Sequence, residues 1–434
     1  MLKKSKFFLV TLLALILCTA GIATAFATGL NGDGALMTTN EETPAQAAIT
    51  KHFRLPVGTN VPNLTFHFTA EKVSVDGNTS AAGLATMPVL NTANLTIGYT
   101  ATDVATDVSA DHIVSIVKET DDIFAGVVFP HAGIYVYEIT EEADTNGITD
   151  QEWLSYSAAK YTITVYVANN AAGDGTYIYA LGTMITTPDN NEQAAGNKVD
   201  PTPGGDDTNY FYSQMIFTND YAKVNGPVDP ERPDPLTDST LHVGKRVGGD
   251  FASREQFFDY VMTITAPSIL EDIPAYYRAY VVKDGALVDP TNMADASLIG
   301  TDSGGTYLKI STTGTTEFRL RDGKELVFVD TPVGTVYTLE EMAATNYVPS
   351  YIITTSGEQG ANVTGTISAG ILTGEQFVGE LENRADFLNT RDSVTPTGLN
   401  LNDLPFIVLI GLGVGALVVF VVVKASRNKS KYRA

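Results

Sequence analysis

The chain has 434 residues, of which 27 are basic and 50 acidic, and its formal net charge is −23. Nucleic acids and anionic membrane surfaces are poor partners for so acidic a chain, because like charges repel. The single cysteine, Cys18, excludes an internal disulfide framework. A chain of this length is typical of two domains.

The first 27 residues are predicted to form a secretory signal peptide. Three lysines precede an apolar run from Phe7 to about Leu17, and Ala25-Phe26-Ala27 offers small residues for cleavage. The protein is therefore expected to be exported. Cys18 would be removed with this segment, so the mature chain would have no disulfide to stabilise it outside the cell.

Strand patterns predominate between the two ends of the chain. Runs of β-branched and aromatic residues with period two lie at 63–68, 134–140, 161–167, 260–264 and 325–329. Clusters of Gly, Asn and Asp separate them as turns, and no long helical period appears outside the hydrophobic termini. The sequence therefore predicts an all-β protein of tandem immunoglobulin-like β-sandwich domains.

A proline-rich stretch marks the predicted boundary between two domains. Residues 227–235 contain four prolines, which are excluded from a central strand and favour a stiff, extended connector. We therefore predict an N-terminal domain over residues 44–222, a linker over 223–239 and a C-terminal domain over 240–391.

Each predicted domain carries the same three-part pattern, in the same order. A lysine lies on an early strand, a glutamate ends a Tyr-x-Ile-x-Glu or Tyr-x-Leu-x-Glu strand, and a Phe-x-Asn closes the unit. The lysine and glutamate are 90 residues apart in the first copy and 96 in the second. The polar residues are Lys51, Glu141 and Asn219 in the first domain and Lys245, Glu341 and Asn389 in the second.

These residue types suit the formation of an intramolecular amide bond. Residues two apart on a strand share a face, so Glu141 should point inward with Tyr137 and Ile139. Burial disfavours charge and favours a neutral amine and a protonated acid. The amine could then attack the carboxamide carbon of the asparagine, while the acid hydrogen-bonds the carboxamide oxygen and carries a proton to the departing ammonia.

Neighbouring residues compete for these roles. Glu138, Glu142 and Glu340 lie next to the chosen acids, but the period of two places them on the solvent face. Asn383 competes with Asn389, although it lacks the Phe-x-Asn context. The alternative interpretation is that all these residues are ordinary surface groups near strand ends.

The C-terminal segment, residues 394–434, combines three features. Val394-Thr395-Pro396-Thr397-Gly398 is followed by 20 uncharged residues, Leu404 to Val423, and then by a short basic tail. Twenty helical residues span about 30 Å, the thickness of a hydrocarbon core. The basic residues that follow predict a cytoplasmic tail.

With these motifs in hand, the chain resembles the backbone pilins of Gram-positive sortase-assembled pili. It is similar to the two-domain streptococcal T-antigen type, which is built from CnaB-like pilin isopeptide-linkage domains. The resemblance implies autocatalytic isopeptide bonds, Lys51 to Asn219 and Lys245 to Asn389, assisted by Glu141 and Glu341. Such a protein is a structural subunit and no enzyme in the sense of turnover.

The resemblance also implies how subunits are joined. A sortase would cleave after Thr397, between Pro396-Thr397 and Gly398, and link Thr397 to a lysine of the next identical subunit. The acceptor in the family lies shortly before the bond-forming asparagine, where only Lys198 qualifies. Lys223, at the connector between the domains, is the alternative. Minor pilins and cell-wall peptidoglycan would be further partners, and the membrane a partner only before sorting.

Other functional interpretations have little support in the sequence. The five histidines show no metal-ligand spacing, so no metal and no cofactor is expected. The single Trp153 is expected to contribute to packing. The alternative function is a wall-anchored adhesin or minor pilin that binds a host ligand without being polymerised.

Overall fold

The computed structural model describes residues 40–143, 148–189, 194–204, 214–224, 233–392 and 404–430. The predicted signal peptide, residues 225–232 of the proline-rich linker and the Pro-Thr-Gly motif at 396–398 lie outside the described residues.

Two sheets make up the first domain. One has the strand order β4-β5-β1-β11-β7 and the other β10-β9-β8-β6-β2-β3. A short helix, α1 (Ala81–Thr86), follows β2 and begins at Ser80, whose side chain accepts a hydrogen bond from Gly83 N. The strands are β1 (Thr50–Pro56), β2 (Leu64–Val75), β3 (Thr96–Tyr99), β4 (Asp107–Val108), β5 (Ile113–Glu119), β6 (Gly133–Glu141), β7 (Glu152–Leu154), β8 (Lys160–Asn169), β9 (Thr176–Thr187), β10 (Lys198–Val199) and β11 (Ile216–Lys223).

The second domain repeats this arrangement. Its larger sheet follows the order β16-β17-β14-β19-β12-β26-β21-β22, and its smaller sheet the order β18-β13-β20-β24. The strands are β12 (Leu241–Gly248), β13 (Phe258–Thr265), β14 (Tyr276–Lys283), β15 (Ala286–Leu287), β16 (Ile299–Asp302), β17 (Gly305–Ser311), β18 (Thr315–Leu320), β19 (Lys324–Phe328), β20 (Val336–Glu341), β21 (Val348–Thr355), β22 (Glu358–Gln359), β23 (Val363–Thr364), β24 (Ile371–Leu372), β25 (Gln376–Phe377) and β26 (Arg384–Thr390).

One hydrophobic core lies between the two sheets of each domain. In the first domain Phe53 of β1 and Phe217 of β11 pack in the same cluster as Tyr137 of β6 and Ile163 of β8, which belong to the facing sheet. An equivalent cluster joins the two sheets of the second domain. The alternation of buried and exposed residues along the strands is what a sandwich requires. The predicted all-β fold of two immunoglobulin-like sandwiches is confirmed.

The first and last strands of each domain lie side by side and run parallel. In the first domain β1 pairs with β11, so that Lys51 is opposite Phe217 and Phe53 is opposite Asn219. In the second domain β12 pairs with β26 in the same way, and Lys245 is opposite Phe387. The lysine and the asparagine of each domain therefore stand on neighbouring strands, two residues apart in register.

The two domains meet through polar and apolar contacts. The Glu380 carboxylate of the second domain accepts hydrogen bonds from Asn60 N at 2.7 Å and Asn60 Nδ2 at 3.0 Å, and Lys223 Nζ lies 3.2 Å from it. Beside these, Ile269 of the second domain packs against Ile113 and Ala222 of the first. The contact fixes the ends of β1 and β11 against the second domain.

The C-terminal helix, α2 (Leu404–Ser430), is long and apolar. Its stretch Pro405–Lys424 is 20 residues long and none of it is buried against the rest of the protein. By length and composition this helix could cross a membrane.

Candidate functional site

Lys51, Glu141 and Asn219 meet in the core of the first domain. The side chains of Lys51 and Glu141 are fully buried, and Asn219 is 0% exposed. Lys51 Nζ lies 3.2 Å from Glu141 Oε1 and contacts the carboxamide oxygen of Asn219. Asn219 Nδ2 donates to Glu141 Oε1 at 2.8 Å. The carboxyl group therefore bridges the amine and the carboxamide nitrogen.

Burial changes the proton affinities of the first pair. Loss of hydration lowers the pKa of Lys51 from 10.5 to about 8, although Glu141 opposes the shift. The same loss of hydration raises the pKa of Glu141, against the effects of Lys51 and Asn219. Both directions favour the uncharged forms, an amine and a carboxylic acid. A neutral amine in contact with a carboxamide is a nucleophile next to its electrophile.

Lys245, Glu341 and Asn389 form the corresponding site in the second domain. Lys245 Nζ donates to Glu341 Oε2 at 2.8 Å, and Asn389 Nδ2 donates to Glu341 Oε1. Burial lowers the pKa of Lys245 to about 8. The arrangement of amine, carboxyl and carboxamide nitrogen is the same as in the first domain.

Aromatic rings exclude water from both sites. Lys51 Nζ lies 4.5 Å from the ring centroid of Phe66, and Lys245 Nζ lies 4.2 Å from that of Phe258. Two residues further along each strand, Phe68 is paired with Glu141 and Tyr260 with Glu341. The Tyr260 hydroxyl donates to Glu341 Oε2 at 2.9 Å. An aromatic-x-aromatic pair on the second strand of each domain is the sequence signal that would have identified these residues.

The two sites differ at the carboxamide oxygen. Ser157 N, in the loop between β7 and β8, lies 3.1 Å from Asn219 Oδ1 and 3.0 Å from Glu141 Oε2. Asn389 Oδ1 is buried and has no hydrogen-bond donor among the described residues. In both domains the glutamate contacts the carboxamide nitrogen, whereas the sequence reasoning expected it at the oxygen. In a carboxamide only the oxygen accepts hydrogen bonds, so the Ser157 N–H favours the orientation in which Asn219 Oδ1 faces it.

The competing residues have other partners or face solvent. Glu138 lies 3.7 Å from Lys160 on the neighbouring strand, and Glu142 and Glu340 are exposed. Asn383 is buried, but its side chain is hydrogen-bonded to the backbone. Its Nδ2 donates to the carbonyls of Thr240, Gly379 and Leu381. These four residues therefore make no contact that would serve amide-bond formation.

The two candidate acceptor lysines differ in accessibility. Lys198 is exposed on the short edge strand β10. Lys223, at the end of β11, is half-buried and forms the ion pair with Glu380 between the domains. The sorting residues Pro396, Thr397 and Gly398 lie outside the described residues. Trp153 packs beside the Ile113, Ala222 and Ile269 cluster. The described part of the chain contains no group of three or more His, Cys, Asp or Glu side chains that could hold a metal ion.

Sequence comparisons match most of the chain to known proteins. Residues 47–222 match the FctA family, described as a Spy0128-like isopeptide containing domain, and residues 239–391 match a domain of unknown function, DUF7601. The chain is 25% identical over 387 residues to a pilin of Streptococcus pyogenes serotype M1, a match that covers 87% of this chain and 90% of that protein.

Solved structures give a weaker likeness. The crystal structure of the major pilin from S. pyogenes is 17% identical and covers 81% of this chain and 100% of its own, with a TM-score of 0.30. A pilus-presented adhesin is 12% identical and covers 54% of this chain and 36% of its own, with a TM-score of 0.23. These TM-scores are low, so the structures carry no argument beyond the sequence matches.

Proposed function

Because residues 47–222 match the family described as a Spy0128-like isopeptide containing domain, we propose that the chain is the structural shaft subunit of a covalently polymerised cell-surface pilus. The observation that carries the proposal is the buried contact among Lys51, Glu141 and Asn219 and its repetition at Lys245, Glu341 and Asn389. A buried lysine and glutamate pair is costly, and a protein has little reason to keep two such sites for stability alone.

Each site forms one isopeptide bond and releases one ammonia molecule. The neutral amine of Lys51 attacks the carboxamide carbon of Asn219, so that a bond from Nζ to Cγ forms. Glu141 lies 3.2 Å from Nζ and 2.8 Å from Nδ2, so it can take the proton that Nζ loses and supply one to the leaving nitrogen. The bond from Cγ to Nδ2 then breaks, and nothing is oxidised or reduced.

Proximity supplies most of the rate. A carboxamide is a poor electrophile in water, but here the amine is held against it on a neighbouring strand in a site without solvent. Lys245, Glu341 and Asn389 carry out the same step in the second domain. Each domain turns over once, because the product is part of the protein itself.

Assembly proceeds through the C-terminal motif. A sortase cleaves between Thr397 and Gly398 and transfers the Thr397 carbonyl to Lys198 of an identical subunit. The exposure of Lys198 on an edge strand favours it over Lys223, which is engaged with Glu380. The final polymer is joined to minor pilins and to peptidoglycan, and helix α2 holds the chain in the membrane until sorting.

Immunoblotting of wall extracts tests this function. A shaft subunit gives a ladder of high-mass species that resist SDS, and Thr397→Ala removes the ladder and releases the protein into the medium. A single wall-attached band from the wild type would instead identify an anchored adhesin that is never polymerised. Gly398 and Pro396 belong to the same motif, so their substitution should resemble Thr397→Ala.

A further inference from the structure

The first site contains a hydrogen-bond donor that the second lacks. Ser157 N lies 3.1 Å from Asn219 Oδ1, the atom that becomes negatively charged when an amine adds to the carboxamide. We propose that the Ser157 amide is the oxyanion donor for bond formation in the first domain, and that Asp189 is the residue that positions it. This inference rests on the proposed function, since it concerns the step that closes the isopeptide bond.

The donor suits this role because of its chemistry and its environment. Addition of the Lys51 amine converts the carboxamide double bond into a single bond, and the electron pair moves onto Oδ1. A backbone N–H that already points at this oxygen stabilises the new charge without having to reorganise. The same N–H also donates to Glu141 Oε2 at 3.0 Å, and the other oxygen of that carboxyl, Oε1, accepts from Asn219 Nδ2 at 2.8 Å. The Glu141 carboxyl and the Ser157 amide therefore have different roles. The carboxyl transfers protons, and the amide stabilises the negative charge on Oδ1.

Asp189 fixes the loop that carries this donor. Its carboxylate accepts from Ser157 Oγ at 2.6 Å and from Ala158 N at 3.1 Å. It also accepts from Thr218 N at 2.9 Å, on the residue that precedes Asn219. One side chain thus ties the loop before β8 to the strand that bears the electrophile. It sets the distance between Ser157 N and Asn219 Oδ1 without touching either atom.

The second domain reaches a different solution at the equivalent place. Asn389 Oδ1 is buried without a donor among the described residues, whereas the Tyr260 hydroxyl donates to Glu341 at 2.9 Å. In the first domain the residue paired with the glutamate is Phe68, which has no hydroxyl. Among the described residues, a backbone donor to the carboxamide oxygen is therefore present at the first site alone, and the second site serves as a reference inside the same molecule.

The test follows ammonia loss during cell-free synthesis of residues 28–391, which contain every strand that the structure describes. Intact mass reports each bond. Ser157→Pro removes the N–H, and Ser157→Ala is the matched control that keeps it. Loss of one oxyanion donor should slow the first bond by about 10²–10³-fold in Ser157→Pro. The second bond should form at the wild-type rate in both variants, and the first bond should slow far less in Ser157→Ala.

Asp189→Asn provides an independent measurement, which also decides the matter if Ser157→Pro does not fold. Burial lowers the pKa of Lys51 and the negative charge of Asp189 opposes that shift, so a purely electrostatic role predicts that removal of the charge increases the neutral amine and speeds the first bond. A positioning role predicts a slower first bond. Because removal of this charge also lowers the pKa of Lys51, the two rates are compared well below pH 8, where the reacting pair keeps its proton.

The outcomes separate this inference from the proposed function. If the wild type loses no ammonia at all, the proposed function is wrong. If the wild type loses two molecules and Ser157→Pro closes the first bond at the wild-type rate, only the role of the amide is overturned. A first bond that forms as fast or faster in Asp189→Asn overturns the positioning role.

Discussion

Burying a lysine amine and a glutamate carboxyl away from water destabilises the folded protein. Removing two charged groups from water costs several kcal/mol for each ion, and their attraction repays this only with good geometry. In this protein Lys51 and Glu141 share a fully buried site, and their pKa values move in the directions that discharge both. An amide bond removes the amine permanently, so the reaction also relieves the cost of burial.

The mass of the folded protein reports this chemistry. We expect residues 28–391 to weigh less than their sequence by two ammonia molecules, and Glu141→Ala and Glu341→Ala each to restore one. Amine and carboxamide remain in these variants, but the proton carrier is gone. Glu138→Ala is the matched control, since it removes a neighbouring carboxyl that faces away from the site, and it should keep the full deficit. The complete sequence mass in the wild type would contradict the assignment.

The pH dependence of the first bond follows from one shared proton. The active pair has a neutral amine and a protonated acid, which is one proton for two groups, and the pKa of Lys51 near 8 marks where that proton is lost. We expect the rate of ammonia loss to fall above pH 8, because no acid remains to protonate the leaving nitrogen. A rate that instead rises and levels off above pH 8 would mean that Glu141 acts only as a base. Time courses of intact mass at several pH values distinguish the two.

At the scale of strands, the parallel pairs β1 with β11 and β12 with β26 decide what the bonds can do. Each proposed bond would join the first strand of a domain to its last, so nearly all of the domain would lie inside the loop. In the first domain this loop spans 168 residues, which by the loop-entropy estimate for a cross-link is worth about 5 kcal/mol. That is comparable to the stability of a whole domain.

Pulling a single molecule between Lys198 and residue 391 tests the mechanical role. The second domain should not extend at all, because the bond between Lys245 and Asn389 carries the force past its strands. In the first domain the force passes along the chain from Lys198 to Asn219, a stretch inside the loop that the bond to Lys51 does not bypass. Glu141→Ala/Glu341→Ala should unfold at ordinary forces and be digested by trypsin, which the wild type resists. Equal extension and equal protease lifetime in the two proteins would rule out this role.

The inward orientation of the site residues could be predicted from the periodicity of the strands. Alternation by two predicted that Glu141 points inward with Tyr137 and Ile139, and the structure buries all three side chains. The hydrogen-bond donor at Ser157 could not be predicted, because every residue type except proline has a backbone amide and the position of this one depends on how a loop is folded. The contact of Tyr260 with the site could not be predicted for another reason. In the sequence Tyr260 is indistinguishable from any aromatic strand residue, and only the strand pairing places it opposite Glu341.

At the scale of the whole molecule, the proposed shaft function requires the junction between domains to transmit force from one sandwich to the next. Glu380 receives two hydrogen bonds from Asn60 and an ion pair from Lys223. Its side chain is only 11% exposed, so this contact is better shielded from salt than a surface pair. Lys223 therefore has a structural role that an acceptor lysine could not keep.

Substitution of the two lysines separates these roles in the cell. Lys198→Ala should leave single subunits attached to the wall and abolish the ladder, because the acceptor amine is gone. Lys223→Ala should retain the ladder and weaken the domain junction, seen as a lower unfolding temperature. A ladder that survives Lys198→Ala and disappears with Lys223→Ala would transfer the acceptor role to Lys223 and leave the shaft function intact.

The register of β1 against β11 gives the bond one more meaning. A slip of one residue would turn Lys51 from the interior to solvent and part it from Asn219, so a mispaired domain cannot close the bond. Ammonia diffuses away once it is released, and the reaction does not run backwards. Under the proposed function, a bond therefore forms only in a domain whose strands have paired correctly, and it persists afterwards. Domains that mispair form no bond and remain susceptible to proteases outside the cell.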